Sequence, residues 1–296
     1  MRLAWRDDDR ALLDKLNAAS WTHSFSPEAC VDSAITTGAE FFALYGAWSL
    51  LLGSRHDASL SEDQRIRFAK YQQMNLMLFT ALFERYGLAT FESFYDNDDD
   101  DRYHEYVTHF IKEETYHYLL FRRAIAKIHA TDGALRPLPQ THLRWFLRLT
   151  MLGLRWVPSR RLRIGMVFFF FRFAEEITLQ AHAMAKRTLV RADSLVVRVW
   201  RLHAIDEARH VVFDDLMMDR ARLPGPLRRV PTWLTVSLCA MASVLLNLNE
   251  VWAARQLGIR VGYHELPSLM RATTAPFKRR VFTILTRGMR REGVPG

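Results

Sequence analysis

The segment KEETYH, residues 112–117, and its counterpart DEARH, residues 206–210, decide the fold of this chain. Each contains Glu-x-x-His, and residues three apart lie on the same face of an α-helix, so both side chains can reach one metal ion. A single Glu-x-x-His is weak evidence. Here, however, each copy falls in its own long segment of helical periodicity, which indicates a metal site between two helices.

Apolar residues recur at helical spacing through most of the 296 residues, without a sustained two-residue alternation. The sequence therefore predicts an all-α fold. We expect helices over residues 27–53, 61–87, 101–130, 142–156, 160–189, 194–222 and 231–258, with a last one after Pro267. The helices that begin at Ser61, Asp101, Arg160 and Ser194 are long enough to form a four-helix bundle. We expect one domain over residues 1–296, with this core at 61–222 and flanking helices at 27–53 and 231–290.

Two further acidic positions lie on the other two long helices. Glu84 stands in LFER, and the pair Glu175-Glu176 stands in FAEEI. An acid inside an apolar helix face normally has a cation as partner, because burial of an unpaired carboxylate costs several kcal/mol. One Glu from each of two helices plus Glu-x-x-His from each of two others is the ligand set of di-iron carboxylate bundles. Consecutive helix residues point about 100° apart, so spacing leaves the choice between Glu175 and Glu176 open.

A third histidine joins the second motif. His203 precedes Glu207 by four residues and His210 by seven, so the three share one helical stripe and His203 is a further candidate ligand. Two iron ions fit this mixture of carboxylates and imidazoles, and manganese accepts the same ligands.

The acids beside the motifs predict a supporting layer. A metal-bound imidazole usually donates its other N–H to a carboxylate. We expect Glu113 to support His210 and Asp206 to support His117, with Arg209 neutralising one of these acids.

The net charge of +9 indicates acidic partners. A basic surface fits an external electron donor such as an acidic ferredoxin, a carrier protein or an anionic membrane surface, whereas no nucleic-acid-binding motif accompanies it. The N-terminus lacks the apolar region of a signal peptide. The apolar stretch Trp233 to Leu248 is shorter than the roughly 20 residues that span a bilayer. We therefore expect a cytoplasmic protein with no membrane span.

These segments resemble those of the AurF-like (p-aminobenzoate N-oxygenase) non-haem di-iron oxygenases, over about Gln64 to Gln256. Gln64-Arg65 leading to Glu84, the segment ETYH ending at His117 and LHAIDEARH at 202–210 are similar to the family's ligand segments. The resemblance implies a ferritin-like, ribonucleotide-reductase-like bundle, a homodimer, O2 as co-substrate and N-oxygenation of an arylamine-type small molecule.

The same resemblance refines the site. It selects Glu176 over Glu175, makes His203 the family's distinguishing ligand and implies that Glu114 and Glu207 bridge the metals. The predicted ligand set is Glu84, Glu114, His117, Glu176, His203, Glu207 and His210. Phe79 stands where the p-aminobenzoate enzyme carries an arginine near its substrate's carboxylate. Together with Phe173 it predicts a more apolar substrate pocket.

Two other functions use the same motifs. A di-iron C–H hydroxylase or oxidative-cleavage enzyme acting on an apolar or carrier-bound substrate would suit the apolar pocket and basic surface. A ferroxidase or iron-storage bundle would need no organic substrate, but the helices outside the four-helix core and His203 argue against it.

Overall fold

A computed structural model describes residues 5–23, 25–95, 100–189, 191–223 and 225–280. The prediction of an all-α fold is confirmed: regular structure in these ranges is helical apart from one isolated bridge between Ile35 and Ser194. The α-helices are α1 (Asp7–Thr22), α2 (Pro27–Asp32), α3 (Gly38–Trp48), α4 (Glu62–Tyr95), α5 (Asp101–Ala130), α6 (Thr141–Arg155), α7 (Arg160–Thr188), α8 (Leu195–Ala221), α9 (Gly225–Gln256) and α10 (Leu266–Ala272).

The four long helices that the sequence predicts as a bundle, α4, α5, α7 and α8, form the centre of the fold. The helix α4 packs against α5, α7 packs against α8, and α5 also contacts α8. The later helices cover one side of this bundle, because α9 packs on α4 and α7 while α6 contacts α4, α7 and α9. The helices α1 and α2 cover α5 and α8.

The helix predicted over residues 27–53 is divided into α2 and α3. The segment between them makes backbone hydrogen bonds at the start of α8, from Ile35 N to Asp193 O at 2.9 Å and from Leu195 N to Ile35 O at 2.8 Å. Thr37 then starts α3 with a capping box, in which it exchanges 3.3 Å hydrogen bonds with Glu40. Tertiary backbone pairing therefore ends a helix that periodicity alone would continue.

The first bundle helix continues past Gly87, where the sequence predicts its end, to Tyr95. A Cβ atom at Gly87 would lie 2.7 Å from ring carbons of Phe171 on α7. Gly87 therefore permits a close approach of α4 to α7 rather than ending the helix.

The two ends of the chain differ from the prediction as well. The helix α1 was not predicted, although Leu13 and Leu16 are buried on its inner side. The last predicted helix corresponds to α10, and the part of it beyond residue 280 lies outside the described residues.

Within the described residues, Trp233–Gln256 of α9 is long and apolar enough to cross a membrane. It is longer than the stretch on which the prediction of no span rested, because the helix continues through Leu248. Its inner side packs on α4 and α7, so a membrane is not needed to cover that side.

Candidate metal centre

Six of the seven predicted ligands come together in the middle of the bundle. They form two groups of buried side chains whose candidate ligand atoms lie within 4.8 Å of one another. The first group is Glu84, His117, His203 and Glu207, and the second is Glu114, Glu207 and His210. Each helix supplies its members from one face, and α8 supplies three because 203, 207 and 210 follow the helical repeat. Glu207 belongs to both groups.

Short contacts join the two groups into one cluster. His203 Nε2 lies 2.8 Å from Glu84 Oε1 and 3.0 Å from Glu207 Oε1. His210 Nδ1 lies 3.1 Å from Glu114 Oε1. His117 Nδ1 lies 3.5 Å from Glu207 Oε1. The side chains of α4, α5 and α8 thus point at one small volume.

At the adjacent pair on α7, Glu175 faces the cluster and the predicted ligand Glu176 does not. Glu175 is buried, and its Oε1 lies 4.0 Å from His210 Nδ1. The Glu176 side chain is 37% exposed and pairs with Arg172 one turn earlier, at 3.3 Å. A shift of one residue along a helix turns the side chain by about 100°, which separates the two acids. The sequence signal for Glu175 is its stripe with Phe168 and Phe171, both buried.

The supporting acids contact the imidazoles that the sequence assigns to them. His117 Nε2 lies 2.9 Å from Asp206 Oδ2, and His210 Nε2 lies 2.9 Å from Glu113 Oε2. Each Nε2–H donates to its carboxylate, so Nδ1 is the nitrogen that would bind a cation. Both Nδ1 atoms are buried and face the carboxylates of the cluster. This is the arrangement of metal-binding imidazoles.

Arg209 holds the two supporting acids together. Its guanidinium donates 2.6 Å hydrogen bonds to Glu113 Oε1 and to Asp206 Oδ1, so it neutralises both acids rather than one. Burial raises the pKa of Glu113, but His210 and Arg209 outweigh burial and lower that pKa to about 2. Glu113 therefore stays ionised and keeps the His210 ring in place.

The buried negative charge of the cluster favours the binding of cations. Burial, followed by repulsion from Glu114, raises the pKa of Glu84 well above its ordinary value. Burial, followed by the charges of Asp214 and Glu207, does the same for Glu175. Four carboxylates in one buried centre carry a charge that two divalent cations balance, and iron with imidazole and carboxylate ligands is a common case. The residues present therefore fit two iron ions, as the sequence predicts, and the same ligands accept manganese.

One buried acid was missed by the sequence analysis. Asp214 is fully buried on α8, and its carboxyl group lies against that of Glu175. Burial raises its pKa well above the ordinary value. It follows His203, Glu207 and His210 at the spacing of one helical stripe, and this spacing would have identified it.

A cavity of about 650 Å³ lies between α4, α7, α9, α10 and the residues after α10. Phe79, Thr80 and Phe83 line it from α4, just before Glu84, and Ala174 and Thr178 line it from α7 around Glu175. The predicted pocket residue Phe79 is thus in the wall. Phe173 is buried but does not line the cavity, because Phe170 and Ala174 present the adjacent face of α7.

Comparisons with known proteins agree with this architecture. The family model described as P-aminobenzoate N-oxygenase AurF matches residues 6–265. An R2-like ligand-binding oxidase with a reconstituted Mn/Fe cofactor has a TM-score of 0.52 and 11% identity, over 97% of this chain and 94% of that one. A mutant of that oxidase has a TM-score of 0.53 and 12% identity, over 99% and 96% of the two chains. No curated protein matches. The predicted ferritin-like class is confirmed.

Proposed function

The chain belongs to the AurF (p-aminobenzoate N-oxygenase) family, and from this premise we propose that it transfers oxygen from O2 to the nitrogen of an amine. Membership makes the protein an oxidoreductase of the di-iron oxygenase kind, as the sequence predicts. The observation that carries the proposal is the pair of buried imidazoles, His117 and His210, whose Nδ1 atoms face four carboxylates.

The proposed ligands divide between two metal positions. Glu84, His117 and His203 would hold a cation at the first position, and Glu114, Glu175 and His210 would hold one at the second. Glu207 belongs to both groups and could contact either cation, as the resemblance implies for Glu114 as well. Asp206 and Glu113 orient the two imidazoles through their Nε2–H groups. When bound, the metal pair supplies the site and the redox change for O2 activation.

The reaction needs an external reductant. An amine, O2, two electrons and two protons give a hydroxylamine and water, and the chain holds no second redox group among its described cysteines, Cys30 and Cys239, which are both free. An acidic electron donor suits the net charge of +9.

The cavity determines which substrates reach the metals. Thr80 and Thr178 line the cavity one helical turn from Glu84 and Glu175, and they direct their hydroxyls to the carbonyls of Leu76 and Glu175. They therefore offer no free donor to a substrate. Phe79 and Phe83 make this end of the cavity apolar. An amine with an apolar body fits this wall better than a benzoate does.

The apolar wall also favours a second candidate, hydroxylation or cleavage at carbon in a lipid-like or carrier-bound substrate. The cavity falls in the range of about 300–1,000 Å³ that suits ligands larger than one aromatic ring. The same metal centre would serve this reaction, so the products distinguish the two candidates.

The test is anaerobic loading with Fe(II) to about two ions per chain, reduction, and exposure to isotopically labelled O2 with a panel of apolar amines. We expect one labelled oxygen on nitrogen in the hydroxylamine, identified by mass spectrometry. Labelled oxygen on carbon would establish the second candidate instead. His210→Ala should abolish product and metal uptake, whereas His182→Ala, in the half-buried part of α7, should retain both.

A further inference from the structure

The outer face of α6 is an apolar stripe that the fold leaves exposed. Its members stand at i, i+4, i+7 and i+11, which places them on one line along the helix. They are Trp145, Leu149, Leu152 and Trp156, with exposed fractions of 55%, 59%, 47% and 78%. The inner face of the same helix is buried in the core by Leu143, Leu147 and Leu154. A helix that is apolar on both sides has a second surface to cover.

A row of arginines borders the stripe on one flank. Arg144, Arg148 and Arg155 each precede a stripe residue by one position, so all three lie on the same side of it, and all are exposed. The guanidinium of Arg148 lies 5.6 Å above the ring of Trp145. The sequence has no Asp or Glu between Asp132 and Glu175, so this surface is basic without local compensation from its own segment.

The neighbouring helix α9 carries further exposed apolar side chains. It packs against α6, and Asn249 Nδ2 donates to the carbonyl of Pro139 just before α6 begins. On its outer side Trp233, Met241 and Val244 are 69%, 52% and 37% exposed. The sequence is also free of Asp and Glu between Asp219 and Glu250. We call the stripe of α6, its arginine row and this side of α9 the α6–α9 face.

We propose that the α6–α9 face binds the surface of an anionic lipid bilayer. Apolar stripes with tryptophan and a flanking arginine row are the composition of helices that lie in a membrane interface. The apolar side chains enter the boundary of headgroups and acyl chains, and the arginines contact lipid phosphates and carboxylates. The charge argues against a second copy as occupant, because two such faces would bring two arginine rows together.

The α6–α9 face lies close to the cavity. The outer side of α9 belongs to the α6–α9 face, and its inner side lines the cavity through Cys239, Ala242 and Leu246. One helix therefore separates the cavity from the bound lipid. Membrane binding through this face does not depend on the reaction at the metal centre. It would place the apolar cavity close to the apolar molecules that dissolve in a bilayer.

The test is sedimentation of the full chain with vesicles of phosphatidylcholine alone and of an equal mixture with phosphatidylserine. We expect binding to the mixed vesicles and weaker binding to the neutral ones. The triple variant Arg144→Gln, Arg148→Gln, Arg155→Gln should weaken binding about 100-fold, from roughly fivefold for each arginine at low salt. Trp145→Ser with Trp156→Ser should reduce binding to both kinds of vesicle.

Matched controls separate a specific face from general attraction by net charge. Arg122→Gln, Arg187→Gln, Arg201→Gln removes the same charge from exposed arginines elsewhere, and Trp21→Ser removes a tryptophan that is 67% exposed on α1. Both controls should bind vesicles within a few-fold of the unaltered chain. All variants replace exposed side chains, and their melting temperatures check folding.

Three results would overturn the proposal. The first is absence of binding to the mixed vesicles by the unaltered chain. The second is an equal loss in the control triple, which would mean that net charge alone attracts the chain. The third is a dimer, measured by light scattering, that the double tryptophan variant dissociates and that vesicles do not displace, because the face would then join two copies.

Discussion

Glu175 and Glu176 are consecutive residues of α7 whose side chains lie in opposite surroundings. Glu175 is 4% exposed with its Oε1 4.0 Å from His210 Nδ1, whereas the Glu176 side chain is 37% exposed and pairs with Arg172. The helix itself causes the difference, because it turns about 100° between them. Only one of two adjacent acids can therefore contribute to the metal centre.

Replacing each of these acids by glutamine gives a matched pair. Glu175→Gln should lower metal affinity by more than the roughly 10- to 100-fold that loss of a supporting group costs. Glu176→Gln should leave affinity unchanged and alter stability by at most about 1 kcal/mol, because it breaks only a partly exposed ion pair. Competition with a chelator measures both affinities. Equal losses in the two variants would contradict the assignment of Glu175.

Spacing predicts the parts of the site that repeat along one helix. Glu114 with His117 and Glu207 with His210 follow from Glu-x-x-His, and their supporting acids follow from the residue before each motif. Spacing does not choose between Glu175 and Glu176, since both are acids in one apolar run. The pairing of Arg172 with Glu176 at i+4 was available in the sequence and would have assigned Glu176 to the surface.

The helix ends were less predictable, because tertiary contacts decide them. Ile35 leaves the helical path to pair with the backbone before α8, a partner far away in the sequence. Glycine is common at helix ends, but Gly87 lies within α4, where it allows a close contact with Phe171. Periodicity reports which face is buried, and it does not report what lies against that face.

Asp206 tests whether the supporting layer tunes the metal centre. Asp206→Ala removes the acceptor of the His117 Nε2–H and one partner of Arg209, and should lower metal affinity about 10- to 100-fold. Asp206→Asn keeps an acceptor oxygen but loses the charge, so its effect should be intermediate. Asp63→Asn, at a side chain that is 66% exposed, is the control. Isothermal titration with Fe(II) or Mn(II) measures the metal affinity of each variant. An unchanged affinity in Asp206→Ala would argue against the supporting role.

The metal-free protein should lose stability as the pH rises. The pKa values of Glu84 and Glu175 in the folded protein lie well above 4.5, so the folded state binds more protons than the unfolded state in the window above 4.5. His210, whose hydrogen bonds outweigh burial and raise its pKa, acts in the same direction above 6.5. Glu113, with a pKa lowered to about 2, stabilises above 4.5 and loses this effect only as the pH falls towards about 2.

We therefore expect the melting temperature of the metal-free protein to fall as the pH rises above about 6.5. Bound divalent cations neutralise the carboxylates and favour their ionised form, so the metal-loaded protein should keep or gain stability over the same range. Calorimetry of the two forms in parallel measures the difference. A metal-free protein that melts higher at the alkaline end would contradict the proposed charge balance.

The cavity and the metal centre should be separable by mutation. Ala242 is buried on α9 and lines the cavity across from the metal ligands' helices. Ala242→Phe places a ring in the cavity, so it should reduce turnover of a bulky amine while metal content stays unchanged. Product formation and metal analysis on the same sample measure the two effects. Unchanged turnover would mean that the substrate reaches the metals by another route.

Gly87 tests how closely α4 and α7 must pack, and Gly153 in α6 provides the comparison. Gly87→Ala places a Cβ atom 2.7 Å from the Phe171 ring and should destabilise the fold by about 1–3 kcal/mol. Gly153→Ala, in α6 with nothing within 4 Å of the added atom, should instead stabilise the fold by about 0.5–1 kcal/mol, because alanine favours a helix over glycine. Urea unfolding measures both changes. Phe171→Leu should recover part of the loss in Gly87→Ala, and no recovery would mean that the strain arises elsewhere than at the contact between α4 and α7.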